Sequence, residues 1–260
     1  MTNQIKPKVV VFENVLNLRT MSFDGNISAA ETIKNSLENI GYETIYDFFK
    51  VSNYGVPQTR RRFIFVGFLN GIKRKFTFPK PSAKEETIKN HLYKLAIDSL
   101  KKNSIILPNH EYKWGYDSNV HKSRFKNLPI SNSKDISIVR LSRTASDGNP
   151  IRKWNEPMPA LDTGTIWGFA TGNVTAKRYL PDRSNRKYVR NKNSSAKLWS
   201  IKGEIIRRMS PRELARIQTF PDNWLFEGKS IISIQKQIGN AVPVKFAKKL
   251  GTSILNYLKG

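Results

Sequence analysis

The chain has 260 residues, 38% of them hydrophobic, enough for one large domain or two smaller ones with cores of their own. Lys and Arg number 45 against 20 Asp and Glu, a formal net charge of +25 that exceeds what solubility requires and points to a polyanion as partner. Cysteine is absent, which excludes disulfides, thiolate metal sites and thiol nucleophiles from these residues. Nucleic acid is favoured over a membrane, because the basic residues are spread along the chain and no apolar run approaches the roughly eighteen residues of a membrane span. The apolar run after the basic start is too short for a signal peptide, so a cytoplasmic, nucleoid-associated location is expected. His91, His110 and His121 show no metal-ligand spacing, and no metal is expected.

In chain order, the first element is "PKVVVFENV", Pro7 to Val15. Val9, Val10, Val11 and Phe12 do not alternate with polar residues, which predicts a central strand buried on both faces, as in a parallel sheet covered by helices. "NISAAETIKNSLENIGY" follows, with Ala29, Ala30, Ile33, Leu37 and Ile40 at three- and four-residue spacings. This predicts an amphipathic helix with a capping box at Ser28 and Glu31 and a stop at Gly41. "YETIYDFF" and "RRFIFVGF" read as strands on either side of the turn-rich "SNYGVPQTR". Strand, helix, strand, loop, strand makes a parallel α/β layer with too few strands to cover both of its faces, so part of the layer is expected to lie elsewhere.

From about Pro79 to Trp199 the chain carries many Asn, Ser, Lys and Arg and only short apolar runs, the pattern of a loop-rich, partly β module. Lys177 to Lys202 is especially basic, with Tyr179, Tyr188 and Trp199 interleaved, either a solvated loop or a phosphate-facing surface. "RRMSPRELARIQTFPD" predicts a helix with Ser210 as N-cap, Pro211 first, Glu213 completing the box and Phe220-Pro221 as the end. Val244 to Leu258 predicts a last helix with Ala247, Leu250, Ile254 and Leu258 on one line and Lys245, Lys248 and Lys249 mostly off it.

Four stretches combine: "ENV" at Glu13 to Val15, "QTRRRFIFVG" at Gln58 to Gly67, "RRMSPRELARIQTFPD" at Arg207 to Asp222, and "QIGNAVPV" at Gln237 to Val244. In this order they resemble the later blocks of the DNA (cytosine-5)-methyltransferases, a likeness that covers most of the chain. The variable segment between the second and third resembles that family's target-recognition domain. Within it "LPNHEY" (Leu107 to Tyr112) and "IRKWNEPMPAL" (Ile151 to Leu161) look most like bacterial restriction-modification enzymes acting on GGCC-type sites.

The resemblance implies an α/β fold: an incomplete Rossmann-like methyltransferase sheet in residues 1–80, a smaller, loop-rich, partly β DNA-recognition domain in 81–225, and a return to the catalytic domain in 226–260. In such enzymes a cysteine thiolate adds to cytosine C6, making C5 nucleophilic toward the methyl group of S-adenosylmethionine. Glu13 matches the carboxylate that holds the N3 and N4 edge of the flipped base. Arg60 and Arg62 match the arginines that support it, with Arg62 toward the cytosine O2 and Gln58 toward DNA. Asn240, Ala241 and Val242 match the block that closes the S-adenosylmethionine site. Double-stranded DNA would be read by Arg140, Arg143, Arg152, Lys153 and Arg208. Each has a plainer reading: Glu13 as a strand-end carboxylate, "QTRRR" as a basic loop before a strand, the Gly-Asn pair as a turn before a helix. Ser210 and Glu213 are helix caps and not catalysts.

Two of the family's blocks are missing from these residues: the Gly-rich F-x-G-x-G turn that grips the methionine end of the cofactor, and the Pro-Cys pair that supplies the nucleophile. The chain is therefore not expected to methylate DNA by itself. In relatives a helix leads through a Lys-Pro-Lys-like turn into the strand ending in Glu-Asn-Val, and Met1 falls at the end of that helix. A split enzyme completed by an N-terminal methyltransferase subunit fits this, and so does an inactive truncated remnant. The other readings are a non-enzymatic, sequence-specific DNA-binding module and, more distantly, an RNA-directed relative.

Overall fold

The computed structural model describes residues 1–15, 18, 21–22, 25, 27–69, 75–82, 84–101, 136–140, 150–161, 166–179, 198–228 and 230–259, with backbone alone at 99–101, 178–179 and 198–207. They form two compact units, Met1–Glu86 with Pro243–Gly260, and Thr87–Val242. The fold is mixed α/β, as the alternation of elements predicts.

The first unit begins with a single helical turn α1 (Thr2–Ile5), ended by Lys6 in the left-handed region at φ 46°. It continues through β1 (Val9–Val15), α2 (Ala29–Glu38), β2 (Tyr42–Lys50) and β3 (Arg61–Leu69), and is closed by the last helix, α6 (Val244–Lys259). The three strands form one sheet of order β1-β3-β2, and β3 runs antiparallel to both neighbours. The predicted parallel layer is thus corrected within this chain. The helical crossover gives β1 and β2 the same direction but leaves a slot between them. A short connection, the 3-10 turn Val51–Tyr54 and Gly55 at φ 85°, then returns the chain into that slot. Val51 N–H donates to Arg60 C=O at 2.9 Å and closes this connection.

Central character therefore belongs to β3, whose residues Phe63 to Phe68 are all buried. β1 lies at the edge, with Val11 48% and Phe12 41% exposed, which corrects the expectation that both of its faces are covered. One face of the sheet receives α2, where Ala29 and Ala30 pack with Phe63, Phe65 and Leu18. Ser28 Oγ accepts from Glu31 N–H, but the return half of the predicted box is absent because the Glu31 carboxylate takes Lys34 and the Tyr46 hydroxyl instead. The other face receives α6: Phe246 meets Phe49 and Tyr54 at centroid distances of 5.3 and 5.2 Å, and Tyr257 meets Phe68 at 4.4 Å. The inward line of α6 is Phe246, Leu250, Ile254 and Tyr257, whereas Ala247 and Leu258 from the predicted line are exposed. Aromatic rings on the sheet select the aromatic side of the helix.

The second unit holds α3 (Ile88–Lys101), β4 (Ser137–Arg140), β5 (Ile151–Arg152), β6 (Trp167–Tyr179), β7 (Leu198–Arg208), α4 (Pro211–Ile217) and α5 (Ile231–Asn240). Its antiparallel sheet has the order β5-β4-β6-β7. Ile88, Leu92 and Ala96 of α3, Ile138, Trp167 and Phe169 of the sheet, and Leu214, Ile217, Ile234 and Ile238 of α4 and α5 share one core. α3 lies in the stretch expected to be a loop-rich, partly β module, and α5 in one for which the sequence predicts no element. Their apolar residues recur every three or four positions but are diluted by Asn, Lys, Ser and Gln, so composition hid the period.

Candidate functional site

Glu13 stands near the end of β1 and Arg62 near the start of β3. The pairings Val15 with Arg62 and Glu13 with Ile64 make them diagonal neighbours on one face of the sheet. Arg62 Nε lies 2.5 Å from Glu13 Oε1, with side-chain exposures of 16% and 27%. Arg62 Nη1 also donates to the Arg61 carbonyl at 2.8 Å. The two facing atoms are buried and in ionic contact without hydrogen-bond geometry, the rest of each side chain is partly exposed, and the pair is flanked on β1 by the exposed Val11 and Val15.

Arg60 and Gln58 are buried, at 2% and 0% exposure, whereas Arg61 is exposed and Arg62 keeps partial solvent access. Burial pushes the Arg60 guanidinium down to about 10, with the like charge of Arg62 adding to the effect and Glu13 opposing it. Two guanidiniums against one carboxylate leave this spot with a surplus positive charge. It offers an acceptor edge from Glu13 beside donors from Arg62, the complement of a planar heterocycle carrying an amino group and a carbonyl.

In the second unit the described residues expected to face DNA lie on both faces of the sheet. Arg140, at the end of β4, holds its guanidinium 6.0 Å from the Trp167 ring. Arg152, on β5, pairs with Glu156 at 3.6 Å. The register puts Arg140 and Arg152 on one face of the sheet and Arg208, opposite Gly168 and Val139, on the other. Lys153 is exposed just after β5. Arg143, "LPNHEY" and most of the basic stretch from Lys177 to Lys202 lie outside the described residues. "IRKWNEPMPAL" supplies core: Met158 and Leu161 are buried, and Trp154 Nε1 donates to the Ile136 carbonyl at 3.0 Å.

Asn240 is the last residue of α5 and exposed, followed by half-buried Ala241 and Val242, and α6 begins at Val244. Its carboxamide offers one donor group and one acceptor, which fits the ammonium and carboxylate of an amino-acid end from one side. Upstream, the capping box at α4 is complete: Glu213 N–H donates to Ser210 Oγ at 3.3 Å and Ser210 N–H to Glu213 Oε2 at 2.7 Å. Two residues escaped the sequence reading. Arg212, 3% exposed, donates to the carbonyls of Pro221 and Trp224 at 3.1 and 2.8 Å. Gln218 is wholly buried, and Nε2 donates to the Ile238 carbonyl at 2.7 Å. The signal for Gln218 was available, since an amide four residues after Leu214 occupies a core position of the helical period. Among the described residues no cluster of His, Cys, Asp and Glu could hold a metal ion, and no helix is long and apolar enough to cross a membrane.

The model of the C-5 cytosine-specific DNA methylase family matches residues 1–256. The chain is 32% identical over 256 residues to the type II methyltransferase M.PspPI of Psychrobacter sp. (strain TA137), covering 98% of this chain and 55% of that protein. It is 30% identical over 236 residues to M.MthTI of Methanothermobacter thermautotrophicus, covering 87% and 60%. It thus spans little more than half the length of these relatives. Among solved structures, the S. pombe Dnmt2 methyltransferase superposes with a TM-score of 0.51 at 17% identity, covering 98% of this chain and 66% of that one, a likeness of fold.

Proposed function

Because the chain belongs to the C-5 cytosine-specific DNA methylase family, we propose that it is the base-holding and DNA-recognition portion of a cytosine-5 methyltransferase of a restriction-modification system. The observation that carries this reading is the Glu13–Arg62 ion pair, partly exposed and backed by the buried Arg60. In this proposal Glu13 accepts from the N4 amino group and holds N3 of a cytosine taken out of the stack, and Arg62 donates to O2. Arg140, Arg152, Lys153, Arg143 and Arg208 contact duplex DNA, with a GGCC-type site the first sequence to test.

S-adenosylmethionine, when bound, supplies the methyl group, and Asn240 with Ala241 and Val242 would line its amino-acid end. The thiolate that attacks C6 comes from outside these 260 residues, which contain no cysteine. An N-terminal methyltransferase segment that pairs with the open edge of β1 would supply it and cover Val11, Phe12 and Val15. The absence of cysteine equally favours the second reading, a DNA-binding module that transfers nothing.

The deciding experiment mixes the chain with a cysteine-bearing N-terminal half and follows tritiated methyl transfer to DNA. Transfer that Glu13→Gln and Arg62→Ala reduce by about a hundredfold or more supports the enzyme reading. DNA binding without transfer under the same conditions supports the module.

A further inference from the structure

The carboxamide of Gln218 sits in the core between α4 and α5, at a position where leucine would pack with no polar group to satisfy. Burying an amide there is costly unless its hydrogen bonds are made. Nε2 makes one firm bond, 2.7 Å to the Ile238 carbonyl, and reaches the Ala241 carbonyl at 3.5 Å. Oε1 is buried without a hydrogen-bond partner among the described residues. Ile238 is one of the last four residues of α5, whose carbonyls have no acceptor role inside the helix. Gln218 thus closes a helix end that its own helix leaves open, beside the turn that carries Asn240. The Ala241 amide, bonded to Gln237 C=O at 3.1 Å, completes that turn.

From this geometry we infer that Gln218 is a positioning residue for the Asn240–Val242 block, coupling the end of α4 to the wall of the S-adenosylmethionine site. The inference rests on the assignment of that block to the cofactor. A core glutamine with one directional bond is spent on orientation, because packing alone would be better served by leucine or methionine. The link joins two motifs about twenty residues apart in sequence, which explains why an amide stands between "ARI" and "TFPD".

The test has a local and a functional arm. In the 260-residue chain, Gln218→Met should lower the hydrogen-exchange protection of the Ala241 amide about tenfold while leaving α4 and the start of α5 unchanged. Gln218→Glu should retain protection at low pH, where a protonated acid donates to the Ile238 carbonyl, and lose it as the acid ionises, a dependence the wild type lacks. Uniform loss through the unit, or no change at the turn, overturns the inference.

The functional arm is calorimetric binding of S-adenosylhomocysteine to the chain reconstituted with a cysteine-bearing N-terminal half, so turnover is not needed. Gln218→Met should weaken binding about tenfold. If Asn240→Ala weakens it and Gln218→Met does not, Gln218 only packs and the inference is overturned while the assignment of the block survives. If Asn240→Ala has no effect, the assignment itself falls, and with it the cofactor role of Gln218.

Discussion

Two seven-residue elements invert the usual relation between hydropathy and burial. β1 reads VVVFENV and has no buried residue, whereas α4 reads PRELARI and buries six, among them Arg212 and Glu213. The difference lies in what the chain supplies around each. α4 is enclosed by its own cap, by the Pro221–Trp224 turn that Arg212 holds, and by α5. β1 has β3 on one side and no strand on the other among the described residues. A polar residue can be buried wherever its groups are met, and an apolar one stays exposed when its neighbours are elsewhere.

The contrast can be broken most directly at Arg212. Arg212→Ala removes the side-chain donor to the Trp224 carbonyl and one of two donors to the Pro221 carbonyl, which keeps the Trp224 N–H at 3.0 Å, and should lower stability by about 2–4 kcal/mol, read as the shift in urea midpoint. A loss below about 0.5 kcal/mol would mean that α4 is not held as described. Ser210→Ala removes half of the capping box and should cost about 1 kcal/mol by the same measurement.

Acid sharpens the comparison further. The hydrogen bond from Arg216, aided by its charge and by that of Arg212, holds the Asp222 carboxyl below its ordinary value. A lowered folded-state value gives stability that is present above the unfolded value and lost as pH falls through the folded one. Because Asp222 is 56% exposed and screened, the effect is below about 1 kcal/mol. The melting temperature of Asp222→Asn should accordingly fall less than that of wild type between pH 5 and the folded-state value. The smallest effect belongs to β1: Val11→Thr, at a site 48% exposed, should change the stability of the isolated chain by no more than about 0.5 kcal/mol while reducing self-association in sedimentation. A large destabilisation there would make β1 core after all and end the comparison.

Local signals were legible in the sequence wherever the physics is local. The capping box at Ser210 and Glu213, the α2 period and the three strands of the first unit all follow from spacing within a few residues. The order of those strands did not, because an antiparallel strand inserted between two parallel ones depends on a turn geometry that apolar runs do not encode. Helices α3 and α5 were hidden by polar composition, and the hydrogen bond of Gln218 by its dependence on a carbonyl twenty residues away. At the candidate site the residue types of Glu13 and Arg62 were readable, but not that they pair with each other, since their proximity depends on the β1–β3 register. The fractional exposures that separate Arg62 from Arg60 and Gln58 are likewise products of tertiary packing.

The strand order also dictates a timetable for synthesis. Val9 aligns with Phe68, and among the described residues the two flanking strands are laddered through the one of the three made last. A nascent chain that stops before Arg61 carries both outer ribbons with no ladder between them, and zippering begins where Arg61 and Arg62 meet Lys50, Phe49 and Val15 and ends at Leu69.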